Sequence, residues 1–400
     1  MDFIENFSLG LCKKNQIKGK MYQSPEGFIV SEISLDGFFA NPEEIIDFDL
    51  KGPEKKYIKF ILIKKNIDTL EAIRRLSSLA GIPKDCIGRA GLKDTLGITG
   101  QWVSVPSEYK DKLFNFFLKQ KDDLFITKPF YSDSTCSVRN LKGNSFKILI
   151  NADEEENSLI KKLDHIKNYL EKNPLPNFYG PQRFGKNQKG QEVGKNLLKG
   201  NYEKALKIFC TEYSDYEPDN IKEIKNKFKE NWGDWEKCYS LSLIDNRLFQ
   251  EGYAFDSLKK GKDYLQAFNS TGFTNFYISS YSSYLFNLVL RKLLEKKYSF
   301  LPEKVPLIGY GISLGKDEIS KYLYFLLAQD NLDTSDFYNK KIPELSFKGR
   351  LKKSSYYVEN FSYKIKGKKI ILTFDLPMGV YASLFLDYFF QNKLGDKKIE

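Results

Sequence analysis

In this chain of 400 residues, the side chains that could do chemistry concentrate in two short stretches. IGRAGLKDTLGITGQWVSV, Ile87 to Val105, sets Asp94 directly after Gly91, Leu92 and Lys93, in a turn before a strand expected to begin near Thr99. A carboxylate held at a strand end beside a cation that keeps it ionised is what a carboxylate nucleophile requires. The same residues would equally make a plain Asp-Thr turn with an exposed lysine, and composition does not choose between the two. NFYGPQRFGKNQKGQEVGKN, Asn177 to Asn196, places Phe178, Tyr179 and Phe184 around Gln182 and Arg183. A surface loop seldom uses aromatics this way, whereas a wall for a flat ligand does. A third stretch, GYGISLGK over Gly309 to Lys316, has the wrong spacing for a phosphate loop. Asp317 stands where a Ser or Thr would hold magnesium, so no nucleotide cofactor is expected there.

The residues that are scarce narrow the chemistry further. The single histidine, His165, lies in KKLDHIKNYL, where Leu163, Ile166 and Leu170 recur at helical spacing, and it is expected at a surface or boundary. Ser-His-Asp and Cys-His hydrolases, two-His metal centres, H-x-E deaminases and H-E-x-x-H proteases all need histidines that are missing. Carboxylate, Lys, Tyr or amide groups must therefore carry any catalysis. The five cysteines, Cys12, Cys86, Cys136, Cys210 and Cys238, lie far apart without a C-x-x-C pair, as expected of thiols and not of a disulfide framework or zinc site. No metal and no cofactor is expected. Lys and Arg number 63 against 52 Asp and Glu, a net charge of +11. The excess is spread from Lys13, Lys14, Lys18 and Lys20 to Arg350, Lys352, Lys353, Lys366, Lys368 and Lys369. This reads either as solvated faces or as a surface for a polyanion, nucleic acid above all. Asp2 and Glu5 stand where a signal peptide needs basic residues, and the most apolar runs are short or interrupted, so a cytoplasmic protein without a membrane span is expected.

The elements that must hold these residues are legible in the periodicity. YIKFILIK, Tyr57 to Lys64, reads as a buried strand. In the helix that follows, Asp68 is the cap with Glu71 three residues on, Leu70, Ile73, Leu76 and Leu79 form the apolar stripe, and Gly81 and Pro83 stop it. Strands are expected over Gln101 to Val105 and from Ser145. Helices are expected over Leu159 to Leu170, Ile221 to Trp232, Ile278 to Leu294 and Lys316 to Leu327. YKIKGKKIILTFDLP returns to strands with a turn at Gly367, before an apolar helix after Pro377. Strands thus gather at both ends and helices in the middle. The pattern implies an α+β core, discontinuous in sequence, carrying an inserted helix-rich domain.

GRAGLKDTLGITGQWVSV and NFYGPQRFG together resemble the TruD family of pseudouridine synthases, in their A-G-x-K-D turn followed by T-x-Q and in N-Y-F-G-x-Q-R-F-G. EGFIVSEI, KKNIDTLEAI, EVGKNLLKGNYEKAL, SSYLFN and FDLPMGVYAS extend the resemblance over nearly the whole chain. It implies a pseudouridine synthase core, a mixed and largely antiparallel sheet with flanking helices, over 1–185 and 346–400, and an inserted domain over 186–345. The implied activity is a cofactor-free isomerisation of uridine to pseudouridine in RNA, above all tRNA at uridine 13; a monomer is the default expectation. Asp94 matches the family's catalytic aspartate, with the ribose C1′ or the base as the point of attack. Lys93 and Arg183 are candidate countercharges, Asn177 matches the family's amide, and Glu32 matches an acidic position of the first motif. Tyr179 stands where the family has the phenylalanine that stacks on the target base, so its hydroxyl adds a candidate base to the platform. Lys18, Lys20, Gln182 and Lys186 are candidate RNA contacts. A catalytically silent RNA-binding protein or RNA chaperone on the same fold is the competing expectation.

Overall fold

The computed structural model describes residues 16–22, 24–91, 97–120, 123–295, 301–340 and 342–391. The chain forms two compact units, 1–175 with 356–395, and 176–355 with 396–400.

The first unit is built on one mixed sheet. Its strands include β1 (Ile17–Met21), β2 (Phe28–Ser34), β3 (Tyr57–Lys65), β4 (Gly88–Arg89), β5 (Ile98–Pro106), β6 (Leu124–Ser132), β7 (Leu141–Ala152) and the hairpin Glu359–Lys366 with Lys369–Pro377. The order is Glu359–Lys366, Lys369–Pro377, β7, β2, β5, β3, β6, with β1 paired to β7 and β4 to β5. The pair β2 and β5 is parallel, with Ile29 opposite Ile98; the other neighbours along that path are antiparallel. The mixed, largely antiparallel sheet expected from the sequence is therefore present, and Gly367, at φ 59°, makes the hairpin turn.

Alternation in β3 and β5 decides what each face buries. Ile58, Phe60, Leu62, Val103 and Val105 pack on one side against Ile73, Leu76, Leu113 and Phe116 of the helices Thr69–Ala80 and Lys110–Lys119. Ile61 and Ile63 face the other side with Ala40 and Trp102. The helix Thr69–Ala80 starts as expected: the Glu71 N–H donates to the Asp68 carboxylate at 3.0 Å, and Gly81 ends it at φ 67°. Its apolar stripe differs from the expected one. Leu70 and Leu79 are 56% and 68% exposed, and the buried face is Thr69, Ala72, Ile73, Leu76 and Ala80. Small Ala72 and Ala80 let the helix lie close to the sheet, so the two leucines are turned outward. The Glu71 side chain does not complete a capping box; it pairs with Arg74 and Arg75. His165 is exposed on the helix Glu156–Lys172.

The second unit is helical apart from a ribbon in which Lys304–Leu307 pairs with Arg350–Lys353. Its centre is the helix Thr274–Glu295, which buries Tyr277, Tyr281, Phe286 and Leu290. The helix Gly190–Leu198 crosses it closely at Gly194, where a Cβ would stand 2.0 Å from the Tyr277 carbonyl oxygen. Asp317, which departs from the phosphate-loop pattern, caps the helix Glu318–Gln329 by accepting from the Ser320 N–H at 3.0 Å. The chain passes between units at 175/176 and 355/356, so Asn177 to Gly185 belongs to the second unit. Hydrogen bonds from this segment to the helix Thr274–Glu295 are the physical reason.

Candidate active site

The first motif is described up to Gly91 and again from Gly97; residues 92–96, with Lys93 and Asp94, lie outside the described residues. The backbone at Gly97 is tightly fixed. Gly97 has φ 104°, and a Cβ there would stand 2.2 Å from the Phe28 carbonyl oxygen, so only glycine lets the chain pass the start of β2. The Gly97 N–H donates to Asn66 Oδ1 at 3.0 Å.

On β2, β3 and β5 the sheet carries a polar island. Thr99 lies opposite both Val30 and Lys64, and Gln101 lies opposite Leu62, so alternation puts Glu32, Lys64, Thr99 and Gln101 on one face. All are buried, Glu32, Lys64 and Gln101 to 0% exposure. Glu32 Oε2 accepts from the Trp102 N–H at 2.8 Å, Lys64 Nζ donates to the Ile67 carbonyl at 2.7 Å, and Thr69 Oγ1 donates to Gln101 Oε1 at 3.2 Å. Gln101 Nε2 is buried without a hydrogen-bond partner. Desolvating such groups is costly unless they are paired, so their concentration on one face makes this a candidate site.

The second motif is held from below by the helix Thr274–Glu295. The Tyr179 N–H donates to Asn287 Oδ1 at 2.8 Å, and Asn287 Nδ2 donates back to the Tyr179 carbonyl at 2.9 Å. Arg183 donates through Nε to Ser283 Oγ at 3.0 Å and through Nη2 to Ser279 Oγ at 2.8 Å. Ser280 Oγ donates to the Arg183 carbonyl at 2.6 Å. Asn177 is fixed to the ribbon: its N–H donates to the Ser354 carbonyl at 2.8 Å and its Nδ2 to the Lys353 carbonyl at 3.1 Å. Its Oδ1 is buried and has no hydrogen-bond partner.

Tyr179 is not a bare platform. It is 8% exposed, its ring meets the edge of Phe286 at 5.6 Å, and two cations sit over it, Lys352 Nζ at 4.6 Å and Arg183 Cζ at 5.4 Å from the centroid. Lys352 Nζ also donates to the Asn177 carbonyl at 3.0 Å. Burial, then the guanidinium groups of Arg350 and Arg183, push the Lys352 amine down to about 7.

The structure thus gathers Asn177, Tyr179 and Arg183 in the second unit and places Glu32 on β2 of the first. Lys18 and Lys20 are exposed on β1, and Gln182 and Lys186 are exposed at the second motif, so the RNA-contact candidates belong to different units. Sequence reasoning missed Lys64, Thr69, Gln101, Lys352 and the serines of SSYSSY. The signal for Lys64 was present, since it continues the inward phase of Ile58, Phe60 and Leu62. Nothing in the sequence ties Lys352 to Tyr179. No helix among the described residues is long and apolar enough to cross a membrane.

The family model of tRNA pseudouridine synthase D (TruD) matches residues 6–303 and 301–389. A Methanococcus maripaludis protein named as a probable tRNA pseudouridine synthase D is 34% identical over 69% of this chain and 67% of its own length. A Thermococcus sibiricus protein of the same description is 26% identical over 95% of this chain and 96% of its own. The crystal structure of a Methanosarcina mazei protein described as a TruD covers 97% of both chains with a TM-score of 0.71 at 22% identity, a likeness of fold. The chain therefore belongs to the TruD family of tRNA pseudouridine synthases, which are isomerases.

Proposed function

We propose that this chain converts uridine 13 of tRNA to pseudouridine, with Asp94 as the nucleophile. The observation that carries the reading is the buried polar island of Glu32, Lys64, Thr99 and Gln101 on one face of β2, β3 and β5, the last of which follows the Asp94 segment in sequence. The reaction breaks the N1–C1′ bond, turns the base, forms the C5–C1′ bond and moves one proton from C5 to solvent while N1 ends protonated. Atoms and electrons balance without a redox partner, so the chain's own groups suffice. Asp94, ionised, attacks C1′ or the base. Glu32 orients the site, and Asn177 presents an amide oxygen as acceptor. Tyr179 supplies the aromatic contact with the base. The target uridine must be flipped out of its stack to react.

The test is pseudouridine mapping on an unmodified tRNA transcript after incubation with the purified chain. Modification at position 13, lost when that uridine is replaced by cytidine, is expected. Modification elsewhere with position 13 untouched contradicts the site assignment, and no pseudouridine at all contradicts the activity.

A further inference from the structure

Around Tyr179 the second unit assembles positive charge that no carboxylate among the described residues answers. Lys352 and Arg350 are two apart on the strand Arg350–Lys353 and so share a face, while Arg183 comes from the turn Pro181–Phe184. Arg183 uses its donors on the neutral hydroxyls of Ser279 and Ser283. Lys352 Nζ finds one carbonyl, that of Asn177 at 3.0 Å, and the faces of Tyr179 and Phe286 at 4.6 and 4.8 Å. Among the described residues the charged groups that act on Lys352 are Arg350 and Arg183; the cross-strand residue, Val305, is apolar, and the helix Thr274–Glu295 presents Ser279, Ser283, Phe286 and Asn287 to this cluster. Ion pairs are common elsewhere in this unit: Lys225 with Glu217 at 2.8 Å and Lys195 with Asp330 at 3.0 Å. Among the described residues none of the three cations here forms one.

Three cations on one wall, of which Arg183 and Lys352 are partly buried, are mutually repulsive until an anion arrives. We propose that Arg183, Arg350 and Lys352 form a phosphate site that takes a backbone phosphodiester of the RNA substrate next to Tyr179. The proposal rests on the reading of the chain as a tRNA-modifying enzyme and adds the ligand chemistry of this cluster. A planar guanidinium and an ammonium at such a site make charge-assisted hydrogen bonds with phosphate oxygens. A phosphodiester also restores the Lys352 proton that burial and its two neighbours disfavour. Binding therefore takes up a proton above about pH 7.

The test measures equilibrium binding of an unmodified tRNA transcript across salt and pH by wild type, Lys352→Met, Lys352→Arg and Arg350→Met. Lys352→Met is expected to bind about tenfold more weakly at low salt, the order of one charge-assisted hydrogen bond. Its slope of log affinity against log salt is expected to fall in magnitude by about one. Wild-type affinity is expected to drop from pH 7 to 9 with a slope approaching one proton, and Lys352→Met to lose that dependence. Lys352→Arg should keep the salt slope and lose the pH dependence, and Arg350→Met should lower the salt slope and move the pH dependence to higher pH, because it removes one of the charges that depress the Lys352 amine. A folded Lys352→Met, by its melting curve, with wild-type salt and pH slopes overturns the proposal. So does inorganic phosphate raising the melting temperature of wild type but not of Lys352→Met while both bind tRNA alike, because the site would then take a free anion. Pseudouridine formation is scored separately. Wild type that modifies tRNA while Lys352→Met binds unchanged defeats only the phosphate site. Wild type that makes no pseudouridine, yet shows the Lys352-dependent slopes, defeats only the reaction.

Discussion

Tyr179 is where the residues of this chain leave the family pattern, and its surroundings decide what the hydroxyl is worth. The backbone on both sides of the ring is pinned by Asn287, and the ring is shared by Lys352, Arg183 and Phe286. All of these contacts need the aromatic face, and none of them needs the hydroxyl. Tyr179→Phe should therefore keep most single-turnover activity on tRNA. Tyr179→Ala should lose the roughly 1–3 kcal/mol that base–aromatic stacking is worth, together with the cation–π contacts. A Phe variant as slow as the Ala variant at unchanged affinity would make the hydroxyl a base. Lys352 gives a second expectation, in stability. Its folded-state pKa lies near 7, below that of an ordinary lysine, so from pH 7 to about 10 the unfolded chain binds a proton that the folded chain does not. Stability from this group rises with pH across that window and is lowest below it. In phosphate-free buffer, Lys352→Met should raise the melting temperature at pH 6 more than at pH 10; an equal shift at both would contradict the depressed amine.

The helix Thr69–Ala80 shows which features of an element the sequence discloses. Cap and stop are local chemistry, and Asp68 and Gly81 do what their types imply. The phase of the apolar stripe is a tertiary matter: Leu70 and Leu79 fit a helical period, yet the sheet receives Ala72 and Ala80 instead. Leu76→Ala should cost about 2–5 kcal/mol in denaturant unfolding and Leu70→Ala within about 0.5 kcal/mol. Asp68→Ala should cost about 1 kcal/mol. Equal costs for the two leucines would restore the simple stripe. In the second unit Gly194 sets how closely two helices cross, and Gly194→Ala should destabilise by more than the usual glycine-to-alanine change in a helix, because its Cβ meets backbone at 2.0 Å.

For the whole molecule, the sequence disclosed the strands at both ends, the helical middle and both motifs, because period and motif are properties of neighbours in the chain. It did not disclose which residues the fold brings to those motifs. Lys64 and Gln101 read as parts of strands, and SSYSSY as a helix, until pairing and packing made them the bed of a polar island and the clamp on Arg183. The passage between units at 175/176 was hidden for the same reason, since Asn177 follows the helix Glu156–Lys172 of the first unit in sequence but the partners of its segment lie about a hundred residues or more further on. The net charge of +11 predicts that tRNA affinity falls steeply between about 50 and 200 mM salt through counterion release. Affinity flat over that range would contradict phosphate contacts as its source.

The central claim, that Asp94 carries the isomerisation, is tested most directly by single-turnover pseudouridine formation on an unmodified tRNA with Asp94→Asn beside wild type. The amide keeps the shape of the side chain and removes its charge, so wild type should complete the reaction and the variant should form no pseudouridine while binding tRNA within a few fold. An Asn variant that binds alike and forms pseudouridine at about a tenth of the wild-type rate or faster would contradict the account, because nucleophilic catalysis by a carboxylate cannot survive the loss of the carboxylate so lightly.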